Sequence, residues 1–266
     1  MRSLNRGIEP NCLVQVRNAQ LQKLRALGRE PNSKEISGYT VVAEDLWKNQ
    51  HKKCCYCEMK LLLSYNDVEH YRPKATADRR PGCTSTHGYW WVAFTWENLL
   101  FSCPGCNRSA KRVRFPLANG TIGSVAEDVA FLGESPLLIN PYVTNPNQHI
   151  SFEKKIYTGT KITRWFARPR NKSILGAYTI DVCDLNRDEL LEMRQDHWEN
   201  CLAEPAENLS EAIRLSDIKL AKTHFATVKR YFSSTMAFSA FSYNVMSAAI
   251  PQADFTKVVG LKWPVI

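Results

Sequence analysis

The chain has 266 residues, of which 44% are hydrophobic, enough to bury one or two cores and to exclude wholesale disorder. Its net charge of +9 and pI near 9.1 suit a polyanionic partner, although charge by itself does not require one. Nine cysteines, an odd count with four of them in closely spaced pairs, argue against a secreted disulfide framework and for metal ligation. With no apolar leader behind residues 1–6, the expected place is the reducing cytoplasm.

In chain order, Val14, Leu21 and Leu24 predict a helix from Cys12 to Leu27 that stops at Gly28. A turn at 30–33 leads to a second helix, starting at Glu35 or Tyr39 and ending at Gln50, with Val42, Leu46 and Trp47 on one side. Both helices read as cover for the cysteine-bearing segment after them. Residues 61–65 and 68–71 read as two short strands joined by a turn at Asn66-Asp67, and Pro73 ends the second. Residues 75–88 are polar and read as a flexible loop, in which Cys83 and His87 are incidental. The aromatic run 89–96 comes next; for Tyr89, Trp90 and Trp91 core packing outweighs base stacking. A helix should open between Asn107 and Lys111.

The pattern loosens between Asn119 and Gly133. Beyond it, residues 136–141, 150–152 and 161–165 read as short extended pieces. Asn186-Arg187-Asp188-Glu189 has capping-box spacing, with Asn186 as N-cap of a helix running to Leu202. Another helix should run from about Leu209 to Tyr231. From Tyr231 to Ala253 there is no charge, a length that could span a bilayer. Seven Ser, Thr and Asn residues in the stretch favour a buried helix or a contact between copies of the chain, and no membrane.

The chemistry gathers in the first half. Cys54–Cys57 and Cys103–Cys106 are two C-x-x-C knuckles, the ligand set of a tetrahedral structural zinc with no open position. Cys55 lacks the spacing and is expected to stay a free thiol, as are Cys12, Cys83, Cys183 and Cys201. Inside this clip lies Glu69-His70. A neutral imidazole at pH 7 can act as a general base. The Glu69 carboxylate and the Asn107 amide oxygen suit a hard cation, Mg²⁺ or Mn²⁺. Adjacent strand residues face opposite sides, so the two can share a site only where the strand ends or bulges. Arg72, Lys74, Arg108, Lys111, Arg112 and Arg114 could grip phosphates, Lys111 best, one helical turn after Asn107.

Glu-His, then Asn-Leu, then C-x-x-C-Asn with a lysine soon after, resembles the HNH endonucleases with the ββα-metal fold, over about Cys54 to Leu117. The resemblance implies His70 as general base, Glu69 and Asn107 as metal ligands, and Asn98 as the residue that holds the site loop. Glu69 stands where the family more often has Asp, and Asn107 where it often has His. E-H-x-R-P-K, Y-W-W, W-E-N-L-x-F-S-C-x-x-C-N and F-P-L are closer still to the nuclease subunit of Septu-type anti-phage systems, the PtuB group, also found beside some retrons. Residues 138–141 and 185–187 carry that resemblance onward. It implies an ATPase partner of the SMC/ABC kind.

The expected architecture is therefore α+β and mostly helical. Residues 1–50 form a helical cover, 51–120 a zinc-clipped nuclease module, and 121–266 a mostly helical domain suited to partner docking. The expected activity is metal-dependent hydrolysis of nucleic acid, DNA or RNA. A non-catalytic zinc-stabilised binding or adaptor protein is the alternative; it leaves the grouping of Glu69, His70, Asn98 and Asn107 without a reason.

Overall fold

The computed structural model describes residues 1–79, 86–118, 123–125, 127–131, 133–157, 159 and 161–266. It is α+β, with eight α-helices and two two-stranded antiparallel sheets among the described residues. Helix α1 (Asn11–Arg25) ends ahead of Gly28, whose φ of 63° turns the chain away, as its position predicts. A 3₁₀ turn at Tyr39–Val42 runs into α2 (Ala43–Asn49), so the second helix starts late and bends at its entry. Leu13, Leu24, Val42 and Leu46 face the core from this layer.

The expected hairpin between residues 61–65 and 68–71 does not form. Strand β1 (Asp67–His70) pairs with β2 (Leu99–Ser102), in the register Asp67 with Ser102 and His70 with Leu99. The reason is burial: β2 is wholly buried and offers Leu99, Leu100 and Phe101 as cover, whereas Leu62 and Tyr65 are exposed. The Asn66 amide instead donates to the carbonyls of Leu62 and Ser64 and makes that segment a turn. A π-helical stretch, Gly105–Lys111, follows β2 through the second knuckle. The order is strand, strand, helix.

The aromatic run is core, with Tyr89, Trp90, Trp91, Phe94 and Trp96 all buried. The loop before it is tied at its neck: Gly88 donates to the Ala75 carbonyl, and a Cβ at Gly88 would lie 2.4 Å from Ala75 backbone. Residues 80–85 of the loop, Cys83 included, lie outside the described residues. Cys12, Cys55, Cys183 and Cys201 are free thiols, as expected.

In the second half, β3 (Ile150–Ile156) and β4 (Thr163–Pro169) turn the short extended pieces into one long hairpin. It lies against α3 (Ile174–Val182), α4 (Asp188–His197) and α7 (Ser239–Ala249). Asn186 is not the cap of α4, which begins after Arg187. Its carboxamide receives the Ala167 N–H at 2.7 Å and donates to the Ala167 carbonyl at 3.0 Å, bolting β4 to the helix entry. The long helix expected from Leu209 to Tyr231 is two, α5 (Ala203–Arg214) and α6 (Ile218–Arg230). Ser216 at φ 55° breaks the run, and the Asp217 side chain caps α6 by accepting the Leu220 N–H. Helix α8 (Gln252–Val259) closes the fold.

The uncharged stretch forms α7, buried through Phe241, Val245 and Met246, with Ser239 and Ser242 buried beside them. No helix of the described residues is long and apolar enough to cross a membrane. One hydrophobic cluster runs without a break from Leu13 through Phe101, Ile139 and Leu190 to Trp263.

Candidate metal and nuclease centre

Cys54, Cys57, Cys103 and Cys106 converge, with all four sulfurs within 4.8 Å of one another and all four residues buried. A tetrahedral zinc with Zn–S near ~2.3 Å needs sulfurs about 3.8 Å apart; Cys57 and Cys103 stand 3.8 Å apart. Hydrogen bonds from Cys106, Cys54 and Cys57 drive the Cys103 thiol down, while burial holds Cys54 up. Four close sulfurs in the core thus fit a dication. Cys55 takes no part, and burial pushes its thiol up to about 11.

The second half of the chain grips both knuckles. Arg187 donates from Nη1 to Cys106 Sγ at 3.4 Å and from Nη2 to Cys103 Sγ at 3.7 Å. The guanidinium lies so close over the knuckle that a Cβ on Gly105 would come within 2.9 Å of it. At the first knuckle, buried Glu58 accepts from Ser239 Oγ and the Ala240 N–H of α7, both at 2.9 Å, and from Lys53 Nζ at 3.1 Å. Burial alone would raise this carboxyl; the ammonium groups beside it leave it well below the usual carboxylate range.

Next to the clip is a cavity of about 220 Å³ whose lining includes Tyr39, Glu69, His70, Lys74, Asn107 and Arg112. Glu69 and His70 share it because β1 ends at His70 and the chain turns there. The turn is pinned by Asn98, whose Oδ1 accepts the Arg72 N–H at 2.7 Å. Asn98 Nδ2 donates to the carbonyls of Arg72 and Val92. The His70 ring contacts the carbonyl of Ala93 through Nε2 at 3.0 Å. A carbonyl only accepts, so Nε2 carries the proton and Nδ1 holds the lone pair. Tyr39 packs edge-on against the ring, centroids 4.5 Å apart. Burial first, then the charges of Lys74 and Lys111, push His70 down to about 3, so the ring is neutral at pH 7.

Glu69 meets Lys111 Nζ at 2.5 Å, an ion pair closed by charge more than by hydrogen-bond alignment. Lys111 is fully buried and also donates to the His70 carbonyl at 2.9 Å. Burial pushes the Glu69 carboxyl up, and Lys111 pulls it back. Asn107 Nδ2 donates to Asp67 at 3.1 Å, which turns its oxygen away from that carboxylate. Glu69 and Asn107 are two hard oxygen donors, and an ion there would take its remaining ligands from water and substrate, as Mg²⁺ does.

Of the expected phosphate-binding side chains, Arg72, Lys74, Arg108, Lys111 and Arg114 are engaged within the protein, whereas Arg112 is exposed at the cavity. Arg72 pairs with Glu134 at 3.0 Å and stacks on Phe131, while Lys74 donates to Ile36 O and Tyr39 Oη at 2.9 Å. Arg108 is exposed and paired with Asp67. Lys111 lies inside the site, as an internal counter-ion. Sequence reasoning missed Asp67, placed in a turn, as well as Tyr39, Glu134 and Arg187. Of these only Arg187 had left a trace, in the 185–187 patch.

No family model matches the chain, and no solved structure matches it significantly. Over 144 residues it is 37% identical to Septu protein PtuB of Bacillus mycoides (strain KBAB4), a stretch covering 53% of this chain and 45% of that protein. The chain resembles Septu PtuB. Septu protein PtuB of Bacillus thuringiensis is 26% identical over 237 residues, covering 85% of this chain and 75% of the relative. A third relative, named "Retron Vc95 putative HNH endonuclease", from Vibrio cholerae serotype O1 biovar El Tor, is 26% identical over 150 residues, 56% of this chain and 60% of its own. The chain thus spans less than half the length of the Bacillus mycoides PtuB.

Proposed function

We propose that the chain is a metal-dependent HNH-type endonuclease, the effector of a Septu-like anti-phage system working with an ATPase partner. The observation that carries the reading is the shared cavity. An imidazole with Nδ1 free, a carboxylate and a carboxamide line it together, on a strand–strand–helix frame clipped by four thiols. Residues 51–120 would be the ββα-metal module, with 1–50 as cover and 121–266 as the helical part that meets the partner. The likeness to PtuB and to a retron protein named for HNH endonuclease activity supports the class.

In this reading His70 Nδ1 takes a proton from water as its oxygen attacks phosphorus. The bond to the 3′ oxygen breaks and leaves a 5′ phosphate. A divalent cation held by Glu69 and Asn107 would neutralise charge on the departing oxygen. Burial and the neighbouring lysines make His70 a weak base, and an anionic phosphate entering beside it raises its proton affinity. Asn98 fixes the turn that aims the ring, and Lys111 fixes the Glu69 carboxylate. Zinc on the four cysteines would hold structure only.

The test is incubation of the purified chain, with and without its ATPase, against plasmid DNA and total RNA with Mn²⁺, Mg²⁺ or EDTA. Cleavage that needs the metal and disappears in His70→Ala is expected. Cleavage that persists in that variant would refute the assignment, and none under any condition would favour a non-catalytic adaptor.

A further inference from the structure

Of the cations expected to grip nucleic acid, all but the exposed Arg112 are turned inward or paired around the cavity, yet the chain is strongly basic, and most of the excess lies elsewhere. Residues 150–172 carry seven Lys and Arg against a single acid, Glu153, a net +6 of the chain's +9. They form the β3–β4 hairpin and the short turn after it.

The register sorts these side chains by face. Phe152, Trp165 and Ala167 point inward; Phe152 and Trp165 pack on Phe241 of α7, with ring centroids 5.2 and 5.6 Å away. Lys155 pairs across the ribbon with Arg164, and Ser151 with Arg168, so three cations share the opposite face. Glu153 on that face is shared between Lys155 at 3.0 Å and Arg168 at 3.3 Å, one carboxylate for two cations. Phe166 lies between, with the Arg168 guanidinium 5.9 Å from its ring. Toward the tip, Lys154, Lys155 and Ile156 are exposed, so the ribbon reaches past the core that anchors its base.

The base is fixed to the catalytic half. Asn186 holds both backbone groups of Ala167, and Arg187, the next residue, holds two of the zinc-site sulfurs. Arg194 adds a bond to the Trp165 carbonyl. Two consecutive residues thus set the ribbon's position relative to the second knuckle, which carries Asn107.

We propose that the outward face of this hairpin, through Lys155, Arg164 and Arg168, binds the phosphate backbone of the nucleic acid that the chain cuts. The inference rests on the nuclease reading for its substrate class. A two-stranded ribbon fits a duplex groove, and cations along it neutralise phosphates without reading bases. An acidic protein is the competing occupant.

The test uses the full chain carrying His70→Ala, so that binding is measured without cleavage, with and without Lys155→Gln, Arg164→Gln and Arg168→Gln together. The probes are labelled 30-base-pair DNA and RNA duplexes, followed by fluorescence anisotropy across a salt series. Removing three phosphate contacts should weaken binding about tenfold or more and flatten the log K against log[salt] slope by about 2 to 3. Thermal melting should not change. In the His70-intact background the triple variant should hydrolyse bis(p-nitrophenyl) phosphate, which needs no extended interface, at the parent rate. Unchanged duplex binding and slope would overturn the ribbon proposal and leave the nuclease reading standing if the diester is still cleaved. Loss of a co-purifying acidic protein with duplex binding intact would overturn it in favour of that partner. Weakened duplex binding with no diester hydrolysis in either background would support the ribbon and sink the nuclease reading. A parent that binds neither duplex overturns both.

Discussion

Lys111 and Glu69 are both buried and face each other as an ion pair. Lys111→Met leaves the carboxylate alone in the core and should cost about 3–5 kcal/mol. Adding Glu69→Gln should restore most of that stability, by denaturant melting of the two single variants and the double. A surface lysine, as phosphate gripping requires, would show no such coupling. Arg187 makes a separate claim. Two N–H···S contacts would lower the charge that these sulfurs present to a bound zinc, so Arg187→Met in the zinc-loaded chain should speed transfer of the metal to a chromogenic chelator, with Arg187→Lys in between. His70→Ala should lower cleavage about 100- to 10,000-fold with zinc content and melting temperature unchanged, read by metal analysis and a gel assay.

At the scale of elements, single carboxamides do what whole turns do elsewhere. Asn186 satisfies both backbone groups of an inward residue of β4, so Asn186→Ala should destabilise by about 1–3 kcal/mol, measured by chemical denaturation. The same residue shows where the sequence misleads. Asn-Arg-Asp-Glu has the local spacing of a cap, but the tertiary demand of β4 for a donor and acceptor won the side chain. The β1 partner was misplaced for a related reason: 61–65 is adjacent and apolar, while the true partner lies about thirty residues on and is recognised only by what it buries. By contrast the convergence of Cys54, Cys57, Cys103 and Cys106 was legible, because two knuckles at C-x-x-C spacing prescribe a geometry wherever the intervening chain goes. The cavity around His70 was legible in its members but not in their engagement; nothing local announces that Lys111 faces inward. Acid should probe the packing of helices. His197 is held neutral by burial among Tyr231, Phe238 and Phe241, with Glu58 opposing the shift. Its folded pKa is depressed, so the unfolded chain binds the extra proton as pH falls below about 6.5 and stability drops from there. Glu58, depressed as a carboxylate, adds a second loss below about 4.3. Melting temperature should fall across both windows, and less steeply in the upper one for His197→Asn.

The whole molecule is closed by contacts that skip across the chain. The first knuckle is tied to α7 through Glu58 and the second to the start of α4 through Arg187, and the core continues between them. If the four cysteines hold zinc, stripping it should therefore lower the melting temperature of the entire chain in one transition, seen alike by near-UV and far-UV circular dichroism. A chain ending near residue 120 loses both ties and should fail to fold alone. Gly105 carries a further implication. A side chain there would meet the Arg187 guanidinium at 2.9 Å and shift it, so keeping Arg187 on the sulfurs favours glycine at 105. Among related chains the two should covary, lost or kept as a pair, although 82 positions of sequence separate them.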